Sequence, residues 1–303
     1  MSVTALLVKP GEGFVETPFI RDIVERALSY LRAGFPINLA GPTGSGKTTL
    51  AFHIARQLGR PVVLIVGNED VKPSSFVGGE FGYSRRYVVD RFISSVLKVE
   101  ESIHKVWFDE RLVVACRNGF TLIYDEFTRV KPEVNNILLP VLEDRMLSLP
   151  SAVGESYVKV HPMFRAILTS NPEEYAGVYK AQDALLDRVV TISLKGFDEE
   201  TEIKITMARA HVPFHTAEKI VRIVRRLRES GLCEYTPTVR SCIMMAKATS
   251  QRDITLHSEA FRKVCFDVLA PKIGRGKSGD IVAEVLLDEV LNEVLGGKLD
   301  ERD

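Results

Sequence analysis

The chain has 303 residues, 45% of them hydrophobic, 26% charged and 8% aromatic, with 40 basic side chains against 40 acidic ones. An apolar share of this size builds an ordinary core and excludes wholesale disorder, and at about 150 residues per domain the length suggests two domains. The zero net charge says nothing about a polyanionic partner, yet residues 280–303 carry eight acids against Lys298 and Arg302, a net −6 that leaves +6 on the other 279 residues.

In chain order, Met1–Lys9 is weakly apolar, lacks a charged start and a cleavage site, and soon meets Pro10-Gly11-Glu12-Gly13, so no signal peptide is read there. Helical spacing covers Phe19–Arg32, and the apolar run Ile37–Ala40 reads as a strand. Directly after it comes Gly41-Pro42-Thr43-Gly44-Ser45-Gly46-Lys47-Thr48, a full GxxxxGK[ST] loop that opens a helix over Lys47–Leu58. The chemistry explains that spacing. Glycines let successive backbone N–H groups turn inward around phosphate oxygens, and the helix N-terminus adds its positive dipole end. Lys47 is placed to reach the β- and γ-phosphates, and Thr48 to offer a hydroxyl to Mg²⁺. These eight residues and Thr49 form the expected nucleotide-binding set.

A second strand is expected at Val62–Val66, and a third at Phe120–Tyr124. The interval between them is too long for a plain crossover. It holds the Gly-rich patch Gly78–Tyr83 and a helical pattern at Tyr87–Lys98. The third strand runs into Asp125 and Glu126, where the first acid suits Mg²⁺ and the second suits polarising an attacking water. A helix follows over Pro132–Asp144, then a β-hairpin within Met146–Val160 and a fourth strand at Phe164–Thr169. Asn171, just beyond, is placed to meet the γ-phosphate or the lytic water. After a short helix at Ala181–Leu186, Arg188 precedes the fifth strand, Val189–Leu194. An arginine at such an edge can stabilise the phosphoryl charge of a neighbouring subunit's nucleotide. Five apolar runs alternating with helices make a doubly wound parallel α/β sheet.

Strand signals then stop. Helical patterns at Glu199–Ala210, Thr216–Glu229, Thr238–Thr249 and Ser258–Leu269 imply a small all-helical second domain, with Arg240 at the start of the third. Arg222, Arg225, Arg226 and Arg228 lie at helical spacing. They read as a solvated face pairing with Glu218, Glu229 or the acidic tail, and with no helix-turn-helix signature a nucleic-acid partner is not expected. A Gly/Lys-rich linker, Lys272–Gly279, leads to a final helix over Asp280–Leu295. Cys116, Cys233, Cys242 and Cys265 are far apart with no CxxC pair, and read as reduced, mostly buried thiols. No stretch approaches the roughly 18 apolar residues of a membrane span.

Taken together, the phosphate loop, the acidic pair, Asn171, Arg188 and the helical lid with Arg240 resemble the AAA+ P-loop NTPases. The two insertions are similar to those of the MoxR-type branch. Within it, Asp109–Pro150 and Phe164–Arg188 resemble the gas vesicle protein N family. The resemblance implies domains at 1–195, 196–271 and 272–303: the nucleotide-binding module with its helix-2 insertion and pre-sensor hairpin, the lid, and a linker with an acidic amphipathic helix. It makes Lys47 and Thr48 the Walker A pair, Asp125 and Glu126 the Walker B pair, Asn171 sensor 1, Arg188 the arginine finger and Arg240 the sensor 2 arginine.

It also implies an ATP- and Mg²⁺-dependent ATPase that acts as a homo-oligomer, a hexameric ring, in the cytoplasm or on gas vesicles. Its clients would be gas vesicle shell or accessory proteins. The alternatives are a MoxR-type chaperone activating a metalloenzyme or Rubisco, a nucleic-acid loader, and a scaffold that nucleotide merely locks. Phe76, Phe81 and Tyr83 are candidates for gripping an apolar client, against the plainer expectation that they pack beneath their own loop.

Overall fold

A computed structural model gives the structure of the chain over residues 14–90, 98–149, 156–172, 183–273 and 280–296. Helix α1 (Pro18–Arg32) begins where the Thr17 hydroxyl accepts the Ile20 N–H and Pro18 fills a position that needs no donor. Then follow β1 (Ile37–Ala40), α2 (Lys47–Gln57), β2 (Val62–Val66), α3 (Ser74–Val77), β3 (Gly78–Asp90) and β4 (Lys98–Asp109). The chain continues through α4 (Arg111–Asn118), β5 (Thr121–Asp125), α5 (Pro132–Asn135), α6 (Leu138–Leu142), β6 (Met146–Ser148) and β7 (Tyr157–Lys159). Last in this part are β8 (Arg165–Ser170), α7 (Asp183–Leu186) and β9 (Val190–Ser193).

Five strands pair in parallel in the order β2-β5-β8-β1-β9. Their apolar runs are continuous because both faces are covered. Val62, Ile123 and Ile167 join α1 and α2 in one core, while the next residues along, Val63, Tyr124 and Leu168, join α4 and the β6–β7 hairpin in the other. The alternation is the pleat of the strand expressed as two hydrophobic layers. From β1 the chain crosses to β2 at the sheet edge, so β1 lies between two strands that come much later in sequence. That reversal opens a crevice outside the carboxyl ends of the strands, where the loops after β1, β8 and β5 stand side by side.

Of the helix expected at Tyr87–Lys98, the described residues Tyr87–Asp90 and Lys98 are strand instead, and 91–97 lie outside the described residues: β3 and β4 form an antiparallel pair from Gly78 opposite Asp109 to Asp90 opposite Lys98, with a register shift between Glu80 and Tyr83. The β-branched and aromatic run Tyr87-Val88-Val89 favours strand once a partner is available, and local periodicity does not reveal the partner. The side chains of Phe81 and Tyr83 lie outside the described residues. Phe76 is fully buried and packs edge-on against Tyr124, 5.5 Å between ring centroids, so it belongs to the core. The helix expected over Pro132–Asp144 divides into α5 and α6. Continuous helix would require an N–H that Pro140 lacks, and the break puts Pro140 in the first turn of α6, where none is needed. The β6–β7 hairpin alternates as expected, with Leu147 and Val158 buried and Met146 and Tyr157 exposed.

Beyond β9 come α8 (Glu199–Ala210), α9 (Phe214–Glu229), α10 (Val239–Gln251), α11 (Glu259–Leu269) and α12 (Asp280–Leu295). Their apolar faces make a core of their own, and it includes Leu287, Val290 and Leu291 of α12, so the helical packing runs past residue 271. The arginines of α9 are paired. Arg222 meets Glu218 at 3.0 Å, and Arg226 meets Glu229 at 3.2 Å and Glu293 of α12 at 3.0 Å. Arg225 and Arg228 both clasp Glu202 of α8, which is only 2% exposed, at 3.0 and 2.9 Å. Thr17 ties this layer back to α1 through a 2.6 Å hydrogen bond with Thr201.

Candidate functional site

The loop between β1 and α2 turns on Gly44 and Gly46, both left-handed at φ +84° and +82°. Such values suit glycine, and they let the chain wrap tightly at the N-terminus of α2, where the first-turn N–H groups point outward toward an anion. Lys47 is 7% exposed, and its ammonium donates to the Gly41 and Pro42 carbonyls, each at 2.8 Å. The Ser45 hydroxyl is buried in the same loop without a hydrogen-bond partner among the described residues.

Two strands away, β5 ends on Asp125, and the Thr48 hydroxyl donates to its carboxylate at 2.9 and 3.0 Å from the two oxygens. Between them, β8 delivers Asn171, whose amide donates to Thr43 of the phosphate loop at 2.9 Å. Glu126 takes the left-handed conformation at φ 55° as the chain turns out of β5, and its carboxylate pairs with Arg129 at 3.1 Å. The structure thus brings Asp125 to Thr48 and Asn171 to Thr43 at the phosphate loop, while Glu126 follows Asp125 at the end of β5 with its carboxylate on Arg129.

The two arginines are placed differently. Arg240, exposed in the first turn of α10, lies beside the loop, for a Cβ added at Gly44 would meet the Thr238 hydroxyl at 2.5 Å and the Arg240 Cβ at 3.5 Å. Arg188 is engaged within its own subunit. Its Nε donates to Glu143 at 2.7 Å, Nη2 reaches the same carboxylate, and Nη1 donates to the Ala184 carbonyl at 2.6 Å.

A cleft of about 590 Å³ opens from Gly44 and Gly46 between α2 and the lid, lined among others by Thr49, His53, Phe197 and Met244. His53 stacks on Phe14 at 3.7 Å between ring centroids. Burial, with Arg56 nearby, holds its imidazole below the usual value. Spacing did not single out His53, Phe14 or Phe197, since they belong to three segments that only the fold assembles. Thr169 was read as part of the strand, yet its hydroxyl donates to Asp125 at 2.6 Å and accepts the Glu126 N–H at 2.9 Å. Of the cysteines, Cys116, Cys242 and Cys265 are buried and Cys233 half-buried. Burial pushes the thiols of Cys116 and Cys265 up to about 12.

Residues 36–189 match the family model of the AAA domain (dynein-related subfamily). The chain is 47% identical over 283 residues to the gas vesicle ATPase GvpN of Ancylobacter aquaticus, an alignment covering 92% of this chain and 79% of that protein. To the gas vesicle ATPase GvpN of Haloferax mediterranei it is 44% identical over 266 residues, covering 86% and 75%. Among solved structures, a mutant of RuvB from Thermotoga maritima superposes with a TM-score of 0.53 at 17% identity, covering 95% of this chain and 85% of that one, a likeness of fold.

Proposed function

Since the chain belongs to the AAA domain family (dynein-related subfamily), and within it to the gas vesicle ATPases named GvpN, we propose that it spends ATP to assemble or remodel protein during gas vesicle formation. The observation that carries this reading is the convergence of Lys47, Thr48, Asp125 and Asn171 on one phosphate loop. The ATP phosphates enter the turn at Gly44 and Gly46, where a phosphate oxygen would give the orphaned Ser45 hydroxyl its partner. Lys47 exchanges two loop carbonyls for β- and γ-phosphate oxygens. Thr48 and Asp125 offer oxygens to a hard divalent cation such as Mg²⁺, which when bound would offset phosphate charge.

Glu126 takes the proton of the attacking water, and Asn171 orients that water against the γ-phosphate. Arg240 approaches from the lid. Arg188 is offered to the nucleotide of the next subunit, so a lone subunit is an incomplete catalyst. A homo-oligomeric ring follows from that division of the site, and the family resemblance makes it a hexamer. Its clients are gas vesicle shell or accessory proteins met in the cytoplasm.

The test pairs Lys47→Ala with Glu126→Gln, reading ATP binding, ATP turnover and gas vesicle formation. Lys47→Ala should bind ATP weakly. Glu126→Gln should bind ATP, turn it over about 10²-fold more slowly, and fail to support vesicles. Wild-type turnover by Glu126→Gln would remove it as the base. Normal vesicles from a protein that cannot hydrolyse ATP would leave only a scaffold.

A further inference from the structure

Asp125 and Glu126 meet at one buried hydroxyl. Thr169, at 0% exposure in β8, donates its single proton to Asp125 Oδ1 at 2.6 Å, so at the same oxygen it must accept the Glu126 N–H, 2.9 Å away. Glu126 needs holding, because at φ 55° it occupies a region that residues with a Cβ rarely adopt. Its carbonyl is confined from the other side. Arg129 N–H donates to it at 2.9 Å, and a Cβ at Gly67 would lie 2.3 Å from it.

We propose that Thr169 is a positioning residue for ATP hydrolysis. One hydroxyl turns the Asp125 carboxylate toward Thr48 and fixes the backbone turn that sets where the Glu126 carboxylate leaves the strand. The same strand carries Asn171 to Thr43, so β8 sets the spacing between the acids and the phosphate loop. The inference rests on Glu126 acting as the base.

Thr169→Val keeps shape and removes both hydrogen bonds, while Thr169→Ser keeps both. Steady-state ATPase kinetics, thermal melting and the Mg²⁺ concentration for half-maximal activity separate the possibilities. Thr169→Val should lower kcat about 30-fold, within the range for misplaced reacting groups, leave KM for ATP within about threefold, and require more Mg²⁺. Thr169→Ser should stay within about threefold of wild type throughout. In a Glu126→Gln background at saturating Mg²⁺, adding Thr169→Val should slow turnover by less than about threefold, since the base it positions is already gone and the effect on Asp125 is offset by excess metal.

The inference is overturned if Thr169→Val retains half the wild-type kcat, or if Thr169→Ser is as slow as Thr169→Val, which would assign the effect to the methyl group. Should Thr169→Val fail to fold, Thr169→Ala, which only removes atoms, carries the same comparison with Thr169→Ser. A dead Glu126→Gln beside a normal Thr169→Val sinks this inference alone. A normal Glu126→Gln sinks the base on which it rests.

Discussion

At Gly44 the phosphate loop leaves no room for a side chain, because the Thr238 hydroxyl of the lid occupies the place a Cβ would take, at 2.5 Å, and the backbone there is left-handed. Gly44→Ala therefore combines two costs. The conformation itself is worth about 1–2 kcal/mol against a residue with a Cβ, and the clash pushes the lid off the loop. Thermal melting and ATP binding should both fall. Adding Thr238→Ala should restore part of each by removing the clash while leaving the backbone strain; equal behaviour of the single and double variants would show that lid and loop do not touch there. At this scale the sequence is most informative where chemistry demands a residue type at a fixed offset. Asn171, by itself a commonplace Asn-Pro turn, stood out only beside Lys47, Thr48 and Asp125, which were legible because a phosphate loop and a strand-end acid each have a spacing. Thr169 was not, since its role depends on a proton shared between residues that are neighbours on adjacent strands. Phe76 decides between two readings: against the gripping role, the fold bears out the plainer expectation of burial and packs it on Tyr124.

Elements were legible wherever their own period decided them. The five parallel strands and α1, α2 and α12 follow from apolar pattern and caps. The β3–β4 pair does not, because a run that can be read as helix becomes strand only when a second strand lies beside it. The division of α5 from α6 was available in principle from Pro140, which cannot donate in mid-helix. The link between α8 and α9 is of another kind. Glu202 is buried against two arginines that are themselves largely covered, at 29% and 26% exposure. Glu202→Ala should leave Arg225 and Arg228 without their carboxylate and destabilise the lid by about 2–3 kcal/mol, discounted from a fully buried pair because water still reaches the guanidiniums. The check is thermal or denaturant unfolding. A melting temperature unchanged within error would mean that the pair contributes nothing net. Glu202→Gln, which keeps one acceptor oxygen but turns an amide NH2 toward the other guanidinium, should fall between.

For the whole molecule the decisive residue is Arg188. Within one chain it is bound by Glu143 and the Ala184 carbonyl, and the action proposed for it on a neighbour's phosphate requires a second copy. Mixing Arg188→Ala with Glu126→Gln, each inactive alone, should recover part of the ATPase activity, because mixed neighbours rebuild a complete site. Sedimentation in ATP should show one assembly containing both. No recovery from a mixed assembly would place the arginine's action within its own subunit. The charge asymmetry of the sequence also resolves at this scale: the acidic end is stitched to the lid by Arg226–Glu293 and Arg262–Asp288. The clasp on Glu202 then has a mechanical consequence. Arg228 also donates to the Pro237 carbonyl, next to the Thr238 that touches the phosphate loop, so the lid meets the nucleotide side near one end of α9. Toward the other end, Lys219 donates to the Val294 carbonyl at the end of α12. Nine residues of helix, about 14 Å, separate Lys219 from Arg228, so a tilt of about 15° at the Glu202 end carries the Lys219 end through about 3.5 Å. Helix α9 thus ties the phosphate-loop side of the lid to α12, which it holds through Lys219 and again, at Glu293, through Arg226.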